Sequence, residues 1–157
     1  MSDNWKALAA NPAAWDTTPH NDPRYDAFAH AVEDRYGLPR GVLEAIKNAG
    51  ERTPTKASGK PTVSSAGARG MMQFIPSTQA KYKHNENDPF ESIDAAGRYM
   101  ADVLAQYNGN VMAAIADYNG GPRQGRPVLE GKQPPAAETK AYLQRIRDYM
   151  NKRYGGK

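Results

Sequence analysis

From Glu91 to Tyr107 an apolar stripe runs through Ile93, Ala96, Gly97, Met100, Leu104 and Tyr107. Steps of three and four keep such residues on one face of an α-helix, because 3.6 residues make a turn. A stripe of this length must be buried against other elements, so it dictates a packed helical domain. The same spacing recurs along the chain. Asp22-Pro23 reads as an N-cap with proline at the first helical position, and Tyr25, Phe28, Ala29, Val32 and Tyr36 follow before Gly37 stops the helix. Pro39 opens a second helix that puts Val42, Leu43 and Ile46 on one face and ends near Gly50-Glu51.

Beyond Glu51 the pattern breaks. Residues 52–67 hold Pro54, Gly59 and Pro61 among Thr and Ser, which predicts a loop or small hairpin. A short helix is expected at Gly70–Phe74, and another runs from Pro76 toward Tyr82. Asn108-Gly109 ends the long helix, and Asn110 caps one that carries Val111, Ala114, Ile115 and Tyr118. Residues 119–135, rich in Gly and Pro, read as loop; a last helix follows, from about Ala136 to Arg153, with Tyr142, Ile146, Tyr149 and Met150 inward. The expected fold is all-α, with residues 1–21 a loosely structured lead-in, pinned by Trp5 or Trp15, and residues 22–157 one domain.

Composition narrows function. The chain has 157 residues and no cysteine, so it carries no disulfide framework and no thiolate metal site. His20, His30 and His84 show no ligand spacing, and no metal or cofactor is expected. With 21 Lys+Arg against 17 Asp+Glu the surface is basic and suits an anionic polymer. The basic residues are dispersed and match no nucleic-acid-binding motif, so no nucleic-acid partner is expected. No apolar stretch spans a bilayer. The first residues lack the apolar core of a secretory signal.

The polar residues Ser64, Gln73, Tyr118 and Asn119 sit beside glycines, where backbone can approach a ligand closely. Glu51 lies just upstream and is the only carboxylate between Glu44 and Glu86. At a helix C-terminus the dipole disfavours a carboxylate, which suits a general acid. Hydrolysis of a glycoside normally needs a second carboxylate. None occurs from Arg52 to Arg69, leaving Asp88, Asp94 and Asp117 as distant candidates. A lone acid implies a nucleophile already present in the substrate.

Four ordered blocks carry a resemblance. They are Gly50-Glu51-Arg52; Ser64-x-x-Gly67-Ala68-x-Gly70-x-Met72-Gln73; Ala116-x-Tyr118-Asn119-x-Gly121-Pro122; and Glu138-Thr139-x-x-Tyr142. Over about residues 36–150 the chain resembles the soluble lytic transglycosylase (goose-lysozyme-like) catalytic domain. The resemblance implies a lysozyme-like helical fold and cleavage of the bond between N-acetylmuramic acid and N-acetylglucosamine. One glutamate first protonates the glycosidic oxygen. It then deprotonates the muramic 6-hydroxyl, which closes a 1,6-anhydro ring.

Carried over residue by residue, Glu51 matches the acid/base. Ser64 matches a hydroxyl that contacts the sugar or the glutamate, and Met72 and Gln73 match the cleft lining. Tyr118 and Asn119 match the active-site wall. Glu138 and Tyr142 match a supporting pair, with Tyr142 also against the substrate. Aligning Leu43 with its counterpart requires one inserted residue before Glu51; without it Gly50 would occupy the catalytic column. Arg52 stands where serine usually follows the glutamate.

Gly-Glu-Arg-Thr and Met-Met-Gln-Phe-Ile-Pro look like bacteriophage or phage-derived members. The implied partner is the peptidoglycan glycan strand, met in the cell wall or periplasm by an enzyme delivered with the virion or released at lysis. It would act as a monomer or within a virion assembly. The alternatives are a hydrolase of the same fold and a non-catalytic wall-binding virion module.

Overall fold

The computed structural model describes residues 4–53 and 62–155. Eight α-helices are present among them: α1 (Trp5–Ala9), α2 (Pro23–Tyr36), α3 (Val42–Ala45), α4 (Pro76–Lys81), α5 (Pro89–Gln106), α6 (Val111–Gly120), α7 (Pro122–Leu129) and α8 (Ala137–Tyr154). The described residues contain isolated antiparallel bridges and no extended strand, so the fold is all-α. No helix of the described residues is long and apolar enough to cross a membrane. The chain divides into two compact units, Met1–Arg98 and Tyr99–Lys157, with the division falling inside α5.

In the first unit, residues 4–21 are more ordered than the expected lead-in. They form α1 and a 3₁₀ helix, Pro12–Thr17. Leu8, Trp15 and Thr18 are buried, and the Trp15 indole N–H donates to the Leu8 carbonyl at 3.0 Å. Both tryptophans meet Phe90 of α5, at 6.3 Å from Trp5 and 6.2 Å from Trp15 between ring centroids, and Trp5 also packs on Phe28 at 4.7 Å. Burying a side chain the size of Phe90 stabilises by about 1.5–3 kcal/mol, which offsets part of the entropy lost on ordering this segment.

Helix α2 begins as its sequence predicts. Asp22 is the N-cap and accepts the Arg24 amide at 2.8 Å, while Gly37, at φ 68°, ends the helix. Helix α5 crosses α2 closely at Gly97, where a Cβ would lie 2.3 Å from Val32 Cγ1. Only glycine fits there.

In the second unit, α6 is capped by Asn110, whose Oδ1 accepts the Ala113 amide at 3.0 Å. The expected loop at 119–135 contains helix α7 instead. Gly125 and Pro127 hide it from a propensity reading. Tertiary packing overrides that preference: a Cβ at Gly125 would lie 2.6 Å from the Tyr107 hydroxyl, so the glycine permits close contact. Pro122 occupies the first turn, where a missing N–H costs nothing. Gln124, buried, accepts the Ala136 amide at 2.9 Å and links α7 to the start of α8.

Candidate active site

In the first unit, helix α3 is held at its start by a buried carboxylate. Glu33 of α2 accepts the amides of Gly41 at 2.8 Å, Leu43 at 2.9 Å and Glu44 at 3.3 Å. These are donors that a helix N-terminus leaves without partners. Burial raises the Glu33 pKa, and the amide donors oppose that shift. Glu44, the other carboxylate on this stretch, is fully buried, with Oε1 at 2.6 Å from His30 Nε2. It lies in an internal pair.

Helix α3 continues into a π-helical turn, Ile46–Glu51, closed by the Arg52 amide donating to the Lys47 carbonyl at 3.0 Å. A π turn spans five residues between donor and acceptor and so holds one residue more than an α turn. Glu51 ends this turn and is half-buried. Arg52 follows at φ 51°, a left-handed conformation uncommon for a side chain of this size, and lies exposed.

Residues 54–61, in the expected loop, lie outside the described residues. The part that follows is a small antiparallel turn with bridges Val63–Arg69 and Arg69–Phe74. Residues 70–73 form a turn where the sequence predicted a short helix. The reason lies in backbone conformation: Gly70, at φ 81°, and Gln73, at φ 55°, both take left-handed values that interrupt a helix.

Ser64 Oγ accepts the amides of Ala66 at 3.2 Å and Ala68 at 3.0 Å, so it shapes this turn and keeps only its hydroxyl hydrogen to donate. Gln73 Nε2 donates to the carbonyls of Gly70 at 2.8 Å and Thr62 at 3.2 Å. Its amide oxygen is therefore the group it can present to a ligand. Met72, expected in the cleft lining, is fully buried and serves the core.

In the second unit, α6 ends in Tyr118-Asn119-Gly120. Tyr118 is half-buried, its ring 5.2 Å from that of Tyr99 between centroids. Asn119 Oδ1 accepts the Thr139 hydroxyl at 2.7 Å. Thr139 is buried in α8 and was given no role by the sequence reading. Its signal was present: it stands three residues before Tyr142, on the same helix face. Gly120 lets these groups meet, since a Cβ there would lie 2.5 Å from Gln124 Cγ and 2.9 Å from Thr139 Oγ1. Tyr142, expected against the substrate, is buried at 2 % exposure in the core of the second unit. Glu138, its expected companion, is exposed in the first turn of α8.

The aspartates considered as a second base are all engaged. Asp94 binds Arg35 at 2.7 Å and Tyr36 at 3.1 Å. Asp88 accepts the amides of Phe90 and Glu91, and burial raises its pKa. Asp117 is buried and accepts the Tyr107 hydroxyl at 2.6 Å. No group of three or more His, Asp or Glu side chains among the described residues could hold a metal ion.

The sequence profile of the Transglycosylase SLT domain matches residues 55–140, more than half of the chain, and the chain belongs to that family. The match begins just after Glu51 and takes in Ser64, Met72, Gln73, Tyr118, Asn119 and Glu138. A solved structure gives a second likeness. It is the X-ray structure of an inactive Glu-to-Gln mutant of the lytic transglycosylase Slt from Pseudomonas aeruginosa, with a TM-score of 0.61 and 26% sequence identity. The likeness covers 78% of this chain and 22% of that one, so this chain spans about a fifth of its length. The fold is the all-α, lysozyme-like fold of this family.

Proposed function

We propose that this domain is a peptidoglycan lytic transglycosylase that cleaves the bond between N-acetylmuramic acid and N-acetylglucosamine and leaves 1,6-anhydro ends. Glu51 is the proposed acid and then base. As the glycosidic bond breaks, its carboxylic acid gives its proton to the leaving oxygen. The carboxylate then takes the proton of the muramic 6-hydroxyl while that oxygen bonds to the anomeric carbon. The glutamate returns to its starting state and no water enters.

The observation that carries this reading is the π turn at Ile46–Glu51. It is the place where one additional residue fits, and that residue is what the alignment of the helix requires for Glu51 to take the acid's position. The engagement of Glu44, Asp88, Asp94 and Asp117 in internal bonds supports a single acid. Gln73, Tyr118 and Asn119 are the proposed sugar contacts, joined by the Ser64 hydroxyl hydrogen; Glu138 remains a supporting residue. The phage-like blocks around Glu51 and Met72 support a role in wall opening during genome entry or lysis.

Digestion of purified sacculi in ¹⁸O-water tests the reaction. Anhydro-ended muropeptides without label are the expected product. Labelled reducing ends would establish a hydrolase, and undigested sacculi with retained binding would establish a wall-binding module. Immunoblotting of purified virions against cleared lysate tests the route of delivery.

A further inference from the structure

The side chain of Lys47, at the second residue of the π turn, is fully buried. Its three ammonium hydrogens have three acceptors: the His20 carbonyl at 2.7 Å, Asp26 Oδ1 at 2.6 Å and Asn48 Oδ1 at 2.6 Å. Asp26 Oδ1 also accepts Asn48 Nδ2 at 2.9 Å, so one carboxylate oxygen holds two successive residues of the turn. We infer that Lys47 is a positioning residue for Glu51: bound to His20, Asp26 and Asn48, it holds open the widened turn that carries the acid. This rests on Glu51 being the acid.

The reasoning is one of specificity against stability. Burial lowers the Lys47 pKa, the mark of a charge that is costly to place here, and Asp26 offsets that cost. Replacing a buried ion pair with well-packed apolar groups is often neutral or stabilising. A core serving only stability has no need of this lysine. What three directed N–H bonds supply is a fixed position relative to α2 and to the chain at His20.

The residue so fixed is also the one whose carbonyl closes the π turn by accepting the Arg52 amide. π turns are rare and short inside α-helices. Relaxation of this one to α spacing would rotate every following residue by about 100° around the axis. Glu51 would leave its position and Gly50 would approach it. The N-terminal segment, through the His20 carbonyl, thus takes part in aiming the acid.

The test is Lys47→Met, with the fold checked by circular dichroism, read by steady-state kinetics on sacculi and by amide hydrogen exchange. We expect kcat to fall about tenfold or more with KM little changed, because orientation and not binding is lost. The Arg52 amide should lose about tenfold or more of its protection while the amides of α2 keep theirs. If Lys47→Met does not fold, Asp26→Asn is read in the same way; it keeps an acceptor, removes the charge and should give a smaller loss in the same two readouts.

Wild-type kcat with unchanged Arg52 protection would overturn the inference. So would a loss of protection spread evenly over α2 and the turn, the sign of general destabilisation. Glu51→Gln is measured beside it. Full activity there removes the assignment of the acid, whereas the Arg52 exchange reports on the clamp whichever residue is the acid.

Discussion

Tyr107→Phe removes one oxygen from the core of the second unit, and its cost can be worked from the structure. Tyr107 is 4 % exposed and Asp117 8 %, and the hydroxyl donates to Asp117 Oδ2 at 2.6 Å. A hydrogen bond to a charged group contributes about 1.5–3 kcal/mol, and a buried acceptor stripped of its donor keeps the full desolvation cost. We therefore expect Tyr107→Phe to lose about 2 kcal/mol of unfolding free energy at pH 7. The pH dependence gives a second readout, of the ionised hydroxyl rather than of the hydrogen bond itself. Burial, then the Asp117 hydrogen bond and charge, push the Tyr107 hydroxyl up from 10.0 to about 12. Two pKa units correspond to about 2.7 kcal/mol between the protonated and ionised forms.

The folded pKa lies above the unfolded one, so this stability is fully present below pH 10 and is lost as pH rises from 10 through about 12. Wild type should lose it across that window, and Tyr107→Phe, which cannot titrate there, should not. Urea unfolding followed by circular dichroism from neutral pH to about pH 11 measures both. A deficit below about 0.5 kcal/mol at pH 7, or one that stays constant across the alkaline window, would refute the reasoning.

Glu51→Gln should lower sacculus cleavage by about a hundredfold or more while the fold survives, since glutamine cannot donate and reclaim a proton; normal turnover by a folded variant removes the assignment. Gly120→Ala adds a Cβ 2.5 Å from Gln124 Cγ and 2.9 Å from Thr139 Oγ1. Overpacking of this kind costs about 1–3 kcal/mol, and turnover of the folded fraction should fall as well because Asn119 loses its orienting partner; unchanged stability in urea would show that α8 yields easily. Asp22→Ala deletes a helix cap and should cost about 1 kcal/mol at pH 7. The Arg24 side-chain hydrogen bond chiefly holds the Asp22 pKa below its usual value. That contribution is therefore present above about pH 4 and lost as pH falls through the folded pKa, so the gap between wild type and variant should narrow as pH falls below about 4. A gap that persists in acid would point to packing instead.

Much of this protein is legible in the order of its residues. Asp22-Pro23, Gly37 and Asn110 act within a turn of themselves, so the starts of α2 and α6 and the end of α2 follow from local chemistry. The stripe from Ile93 to Tyr107 yields α5 for the same reason, and the four motif blocks give the family. Tertiary structure decided what depends on which surfaces meet. Helix α7 forms despite Gly125 and Pro127 because close packing at Tyr107 outweighs weak propensity. By residue type Met72 and Tyr142 read more readily as core, while the motif blocks put them at the ligand; both are buried.

The π turn is the clearest case. With Glu51 as the proposed acid, the family resemblance calls for one added residue between Leu43 and Glu51, and any of several positions would absorb it. Its place is set where Lys47 finds His20 and Asp26, residues 27 and 21 positions away along the chain. Caps and periodicity act over one or two helical turns, within the span that a sequence displays directly. Burial and the pairing of buried charges act between segments far apart in the chain, and exist only once those segments have been brought together.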